Sequence, residues 1–105
     1  MKKIYIKPYN STIHIYQPDE YDKFLKATGA TCQDVLAHTC GGHVWVSDLP
    51  VEDVGVCYHE ASHVCDSILE DRLDTVIRNL ADTTELRAYL MEYIGDEIRK
   101  YIFGW

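Results

Sequence analysis

The sequence predicts a small α+β domain in which a three-stranded antiparallel sheet packs on two long C-terminal helices. Short segments rich in β-branched and aromatic residues alternate between apolar and polar side chains in the first half of the chain. The second half instead has apolar residues at helical spacing. The chain contains no repeat, linker or charge block, so residues 1–105 are expected to form one domain with one modest core.

Three strands are predicted. Residues 3–7 and 12–16 alternate, and the Pro-Tyr-Asn-Ser segment at 8–11 has turn chemistry, so these residues predict a β-hairpin. The third strand is predicted at His43–Ser47, after two glycines. Residues 30–42 fit no single pattern, and a short helix around Cys32–Ala37 is one interpretation.

Three helices complete the predicted fold. The first begins at residues 17–20, where Pro18 suits a first helical turn, and it ends at Gly29. Its apolar face comprises Tyr21, Phe24 and Leu25. A long helix is predicted over about residues 51–71, and a second one from near Asp82 to about Phe103.

Composition and charge exclude several classes of protein. Seventeen acidic residues against ten basic ones give a net charge of −7, so nucleic acid is not an expected partner. No segment approaches the ~20 apolar residues that cross a bilayer. Lys7 and Pro8 interrupt the segment after Met1 before it resembles a signal peptide. We therefore expect a cytoplasmic protein with no membrane partner, whose cysteines are free thiols or ligands.

A metal-binding motif lies inside the first long helix, which reads His59-Glu60-Ala61-Ser62-His63. His59 and His63 lie about 40° apart around the axis and one turn apart along it, so both imidazoles can bind one tetrahedral metal ion. Glu60 lies about 100° from His59, outside the ligand set, where a carboxylate can take a proton from a metal-bound water. Zinc is the cofactor that this pattern indicates.

The remainder of this helix fits a site that lines a cleft. An apolar stripe opposite the histidines is expected to pack into the core, and it comprises Val54, Cys57, Ala61, Val64, Cys65 and Ile68. Carboxylates accompany the histidines on their own face, at Glu52, Asp66 and Glu70. The alternative interpretation is a pair of solvated histidines on an acidic surface helix.

Glu85, near the start of the second long helix, is the candidate third ligand. Where one helix supplies two histidines, a carboxylate from another element and a water usually complete the site. Glu85 follows His63 by 22 positions, in a helix that must pack back against the first. The alternative role is that of a capping-box glutamate, because Asp82-Thr83-Thr84-Glu85 has the required spacing.

With these residues, the chain resembles the gluzincin-type zinc metallopeptidases, in which a second helix with a Glu-x-x-Ala pattern follows the His-Glu-x-x-His helix. Glu85-Leu86-Arg87-Ala88 matches that pattern, and the chain is similar to the very small predicted metallopeptidases of phages and prophages over about residues 42–95. The resemblance implies a zincin-like core, zinc ligands at His59, His63 and Glu85, and Glu60 as general base. It also implies a protein or peptide substrate, and the host cytoplasm as the location of a phage-encoded version.

The resemblance also implies a substrate-binding edge strand before the active-site helix. The predicted strand at His43–Ser47 has that place in the sequence. The unpaired backbone of His43, Val44, Trp45 and Val46 is therefore expected to hold an extended peptide by adding a strand.

Two positions depart from the family pattern. An Asp often follows the glutamate ligand by four residues and orients a zinc-bound histidine, but Tyr89 stands there, which leaves Asp66 and Glu92 as candidates. Larger family members stabilise the oxyanion with a downstream Tyr or His. The candidates for that role in this chain are Tyr89, Tyr93, His43 and His38.

Hydrolysis of a peptide bond by a zinc-dependent metallopeptidase is thus the expected function. The two departures favour an alternative, a catalytically inactive zinc-binding protein that acts by interaction, for example against a host defence. A metal-free interaction domain is the third interpretation.

Two further groups of residues have alternative interpretations. One group could form a structural zinc site, because it includes a Cys-x-x-His spacing typical of half such a site: Cys32, His38, Cys40 and His43. The alternative interpretation is that these cysteines are buried or free thiols. Cys57 and Cys65 point away from the histidine face and are expected in the core. The apolar C-terminus, at Tyr101, Ile102, Phe103 and Trp105, either docks on the hairpin or forms a homodimer surface.

Overall fold

Two β-hairpins lie side by side in the computed structural model and form one mixed sheet. β1 (Lys2–Ile6) pairs antiparallel with β2 (Ser11–Tyr16), and α1 (Tyr21–Thr28) leads from this hairpin to the next. There, β3 (Ala37–Cys40) pairs antiparallel with β4 (His43–Val46). β2 and β4 pair in parallel, so the strand order is β1-β2-β4-β3 and the two edge strands are β1 and β3.

Two long helices cover one face of this sheet. The structure describes residues 1–72 and 80–105, and these include α2 (Gly55–Arg72) and α3 (Leu80–Phe103). Single 3₁₀ turns at Lys7–Tyr9, Pro18–Glu20 and Val51–Asp53 precede β2, α1 and α2. No helix in the described ranges is long and apolar enough to cross a membrane.

The predicted α+β class is confirmed, but the predicted sheet is wrong in detail. The described residues form four strands instead of three, and the pairing of β2 with β4 makes the sheet mixed instead of antiparallel. The additional strand is β3, and residues 30–36 contain no helix where a short one was considered. The consequence for function is that β4 lies inside the sheet and β3 takes the edge.

Two glycines adopt the backbone that these connections require. Gly29 ends α1 with φ 71°, as the sequence predicts, and its N–H bonds the Leu25 carbonyl at 2.8 Å. Gly41, in the two-residue loop between β3 and β4, has φ 59°. This tight loop brings Gly42 beside β2, where its carbonyl accepts a hydrogen bond of 2.7 Å from the His14 N–H.

The main core lies between the sheet and the two long helices. Alternate residues of the strands point into it because side chains on a strand change face at every position. Its buried strand residues are Ile4, Ile6, Ile13, Ile15, Val44 and Val46. The opposite face of the sheet has a smaller core, in which Tyr16 and Trp45 pack against Phe24 of α1. Burial of each Ile, Val or Phe side chain in these cores contributes about 1.5–3 kcal/mol to the stability of the fold.

α2 buries the apolar stripe that its sequence predicts. Cys57, Ala61, Val64, Cys65 and Ile68 are all buried, whereas Val54 is half-buried. Burial raises the pKa of the Cys57 and Cys65 thiols to about 11, so both are neutral. The prediction that these two cysteines belong to the core is confirmed.

α3 runs antiparallel to α2 and packs closely against it. Tyr58 near the start of α2 donates a hydrogen bond of 2.5 Å to Asp96, and Ser62, one turn later, accepts one of 2.6 Å from Arg87. Gly95 allows this approach, because a Cβ there would collide with the Tyr58 ring. At the end of α3, Tyr101, Ile102 and Phe103 pack against the main core, while Trp105 is exposed.

Candidate metal centre

α2 presents the two candidate ligand histidines on its open face. His59 and His63 are one turn apart and both side chains are exposed. Their Nε2 atoms lie 3.3 Å apart, and the planes of the two rings are inclined at 86°. The histidines point outward because the opposite side of the helix is buried against the sheet and α3.

The separation of these nitrogens fits a single metal ion. Two imidazole nitrogens that each bind tetrahedral zinc at about 2.0–2.1 Å lie about 3.3 Å from one another. His59, His63 and Glu60 form a group in which one ligand atom from each residue lies within 4.8 Å of the others. These three side chains could therefore hold a metal ion.

Glu60 is the buried member of this group and is 6% exposed. Its Oε1 accepts a hydrogen bond of 2.7 Å from Oγ1 of Thr39 on β3. Its Oε2 lies 3.8 Å from Nε2 of His59. One carboxylate oxygen is thus held by the sheet and the other is near the histidine pair, beyond direct hydrogen-bonding distance.

The structure does not bring Glu85 to this group. Across the described residues, the donor group contains His59, Glu60 and His63, and the Glu85 side chain is exposed. α3 is already helical at Leu80, so Asp82 lies inside the helix and the predicted capping box at its start is wrong. The capping role that competed with metal binding for Glu85 is thereby removed.

Contacts between the helices show which part of α3 lies level with the histidine pair along α2. Tyr58, which precedes His59, bonds to Asp96, and Ser62, which precedes His63, bonds to Arg87. The part of α3 level with the pair therefore lies between Arg87 and Asp96. Glu92 is within this interval and is exposed, and Glu85 lies just beyond its N-terminal end.

Asp66, a candidate for orienting a zinc-bound histidine, is bonded to a different partner. Its Oδ1 accepts a hydrogen bond of 3.0 Å from Nε of Arg87, and the same guanidinium donates to Ser62. Arg87 thus ties α3 to α2 one residue from His63. A carboxylate held in this way serves the helix pair, and the structure shows no contact from it to either histidine in the described part of the chain.

The tyrosines considered for oxyanion stabilisation lie on another side of α3. Tyr89 and Tyr93 are exposed, and both line a cavity of about 410 Å³ together with Tyr5 and Tyr9 from the N-terminal hairpin. The structure therefore places them against the hairpin and does not group them with the histidines.

His38 and His43, the other oxyanion candidates, lie on the far face of the sheet from α2. Nδ1 of His38 is 3.0 Å from the Tyr21 hydroxyl, and Nδ1 of His43 is 2.9 Å from the Tyr16 hydroxyl. Both partners belong to the α1 side of the sheet. The sheet itself separates these imidazoles from Glu60, so neither can reach a substrate held at the His59–His63 pair.

The second constellation considered for zinc does not assemble. Cys40 and His43 are opposite each other in the β3–β4 ladder, but Cys32 is exposed in the preceding loop. Among the residues that the structure describes, the one group with metal-binding spacing is that of His59, Glu60 and His63.

The strand expected to bind substrate does not have a free edge. β4 is paired on both sides, with β2 and with β3, and Val44, Trp45 and Val46 are buried. The expectation that His43–Ser47 holds an extended peptide is corrected by this topology. The strand with an unpaired side next to α2 is β3, and its Thr39 contacts the carboxylate of Glu60.

The sequence alone did not point to Thr39, which contacts Glu60, or to Arg87, which ties α3 to α2 beside His63. The signal for Thr39 is the Thr-Cys-Gly-Gly-His segment, which is typical of a β-hairpin with a two-residue loop. In such a hairpin Thr39 pairs with Val44, as it does on the inner face of the sheet. The contacts of Arg87 depend on how α3 packs on α2 and have no local sequence pattern.

Comparison with known proteins identifies no relative of this chain. The sequence matches no family model and no curated protein, and no solved structure matches its fold.

Proposed function

We propose that the protein is a small zinc-dependent peptidase of the gluzincin type. The observation that carries this proposal is the 3.3 Å separation of the His59 and His63 Nε2 atoms, with a buried Glu60 carboxylate beside them. Two imidazoles at the spacing of zinc ligands, next to a carboxylate held at 3.8 Å, match the ligands and the base of a metallopeptidase.

Each residue has a distinct role in this proposal. His59 and His63 hold the metal. Glu85 of α3, which the structure does not bring to this pair, is proposed to complete the protein ligands when the metal binds. Zinc bound there would supply an activated water and polarise a peptide carbonyl. Glu60 takes the proton of that water through Oε2 and returns it to the departing amine, because its other oxygen is already engaged by Thr39.

An extended peptide is the proposed substrate, and β3 is the strand that holds it. No strand of residues 1–72 or 80–105 pairs with the outer side of β3, so its backbone can add a strand from a substrate. Thr39 connects this strand directly to Glu60, which brings a peptide on β3 close to the base. The net charge of −7 favours a protein substrate over a nucleic acid.

The proposal is tested by metal content and by one conservative substitution. We expect one zinc per chain in protein purified without a metal-binding tag, and its loss in His59→Ala and His63→Ala. His38→Gln is the matched control, because this histidine lies on the other face of the sheet. Glu60→Gln should retain zinc but lose hydrolysis of a proteome-derived peptide mixture by about 10²–10⁴-fold. Wild-type protein without zinc would contradict the proposal.

A zinc-binding protein that does not hydrolyse peptides is the second candidate. It is favoured because, among the described residues, the structure groups neither Glu85 nor the four oxyanion candidates with His59, Glu60 and His63. This candidate predicts that Glu60→Gln leaves any cellular effect of the protein unchanged, whereas His59→Ala removes it.

A further inference from the structure

A hydrogen bond from the sheet holds the buried carboxylate of Glu60. Burial of a carboxylate is unfavourable unless hydrogen bonds compensate it. Among the hydrogen bonds of the described residues, the donor to this carboxylate is the Thr39 hydroxyl, at 2.7 Å from Oε1. A short bond from a hydroxyl to a charged oxygen is roughly twice as strong as one between neutral groups.

The position of Thr39 makes this bond directional. Thr39 lies on β3 and faces α2, because its ladder partner Val44 is buried in the main core. The hydroxyl therefore reaches Glu60 from the sheet and fixes Oε1 there. With Oε1 fixed, the second oxygen is left 3.8 Å from Nε2 of His59.

We propose that Thr39 is a positioning residue, which holds the Glu60 carboxylate so that Oε2 faces the metal and its water. Thr39 touches neither the metal ligands nor the reacting atoms and acts through Glu60. This inference rests on the proposed function, since it assigns an orientation to the proposed base. It also couples the two parts of the site, because the strand proposed to hold the peptide is the strand that aligns the base.

Four variants test this role. Thr39→Val removes the hydroxyl but keeps the shape and the β-branched side chain, and Thr39→Ser restores a hydroxyl. Cys40→Ala is the matched control, since its side chain is on the same strand but the opposite face. Glu60→Gln shows what loss of the proposed base does.

The first measurement does not depend on turnover. Each protein is loaded with Co²⁺ in place of zinc, and the affinity and visible spectrum of the bound ion are recorded. We expect Glu60→Gln to change the spectrum, Thr39→Val to change it in the same direction, and Thr39→Ser and Cys40→Ala to match the wild type. Co²⁺ affinity should stay within about twofold in all four, because none of the proposed ligands, His59, His63 and Glu85, is replaced.

The second measurement uses a peptide that the wild-type zinc protein cleaves. Thr39→Val should lower kcat by about tenfold to a hundredfold, the usual effect of losing an outer-shell contact, with KM within about twofold. Thr39→Ser should recover most of the rate. A kcat effect with unchanged KM is not expected if Thr39 only stabilises the edge strand.

The outcomes separate the two proposals. If Glu60→Gln changes the Co²⁺ spectrum and Thr39→Val does not, Thr39 does not position the carboxylate and only this inference fails. It fails equally if Glu60→Gln leaves the spectrum unchanged, because Glu60 then does not face the metal. If the wild-type protein binds neither Co²⁺ nor zinc, the proposed function fails and this inference fails with it.

Discussion

At the scale of single residues, the identity of the third ligand is the sharpest question. Glu85 is the proposed donor, and its competing capping role is removed because α3 already includes Leu80. We expect Glu85→Ala and Glu85→Gln each to weaken zinc binding by at least about tenfold, since an amide is a poor substitute for a carboxylate ligand. Competition with a coloured chelator measures this, with circular dichroism as a check that the fold is kept.

Glu92→Gln is the comparison variant for this experiment, because Glu92 is the alternative ligand. Glu92 is also an exposed carboxylate on α3, and the contacts of Tyr58 and Ser62 place it level with the histidine pair along the helix. Full zinc affinity in the Glu85 variants, with a loss in Glu92→Gln, would assign the third position to Glu92.

The residues of the motif could be predicted from sequence, whereas their surroundings could not. The spacing of His59 and His63 on one helix fixes their proximity, which the 3.3 Å separation confirms. The burial of Glu60 depends on β3, which lies about twenty residues earlier in the chain and reaches it through the sheet. Likewise, the bond between Asp66 and Arg87 depends on how α3 packs on α2. The sequence around Asp66 does not reveal this packing, so it predicts an orienting role for Asp66 instead.

At the scale of elements, the close crossing of α2 and α3 depends on Gly95. A Cβ at this position would collide with the ring of Tyr58. We expect Gly95→Ala to lower the free energy of unfolding by about 1–3 kcal/mol, the usual cost of overpacking. The gain in helix propensity of about 1 kcal/mol only partly offsets this cost. Urea denaturation followed by circular dichroism measures the change.

Gly55→Ala provides the opposite case in the same helix pair. Gly55 begins α2, its added Cβ would meet nothing within 4 Å, and its φ is not positive. This substitution should leave stability unchanged or raise it by up to about 1 kcal/mol. Equal effects of the two substitutions would show that the contact between Gly95 and Tyr58 does not limit the approach of the helices.

Long elements with a clear apolar periodicity could be predicted from the sequence, whereas a short element without one could not. The long apolar stripe of α2 identified both the helix and its buried face, and the alternating hairpin at the N-terminus was found with bounds within one or two residues. β3 was missed because four half-buried residues carry too little periodicity. The parallel pairing of β2 with β4 joins strands about thirty residues apart, and no local pattern encodes it.

At the scale of the whole molecule, a stacked pair of histidines lies at the junction between the two hairpins. His14 and His43 are the first partners in the parallel β2–β4 pairing, with ring centroids 4.2 Å apart and planes within 9° of parallel. Burial lowers the pKa of both imidazoles. Lys3 on β1 further lowers the pKa of His14, and His14 further lowers that of His43. Protonation therefore places like charges at the only parallel pairing among the described strands.

The sign of the resulting pH dependence follows from the lowered pKa values. The ordinary imidazole pKa is 6.5, so below that pH the unfolded chain binds more protons than the folded one. The stabilising effect of the neutral pair is fully present above about pH 6.5 and is lost as the pH falls through the lowered folded values. We expect the urea midpoint to fall between about pH 7 and pH 5, with a smaller fall in His14→Phe, which keeps a stacked ring but cannot be protonated.

Glu20 provides a contrast, because its stabilising effect is lost at lower pH. The pKa of its carboxyl is lowered: burial opposes the shift, but hydrogen bonds from the Gln17 backbone and the amino terminus outweigh it. Its ordinary value is 4.5, so its stabilising effect is lost only as the pH falls below that value. A fall in the urea midpoint that is equally large in wild type and His14→Phe would mean that acid does not destabilise the fold at the junction of the hairpins. A fall that nearly disappears in His14→Phe would identify the junction of the hairpins as its most acid-sensitive part.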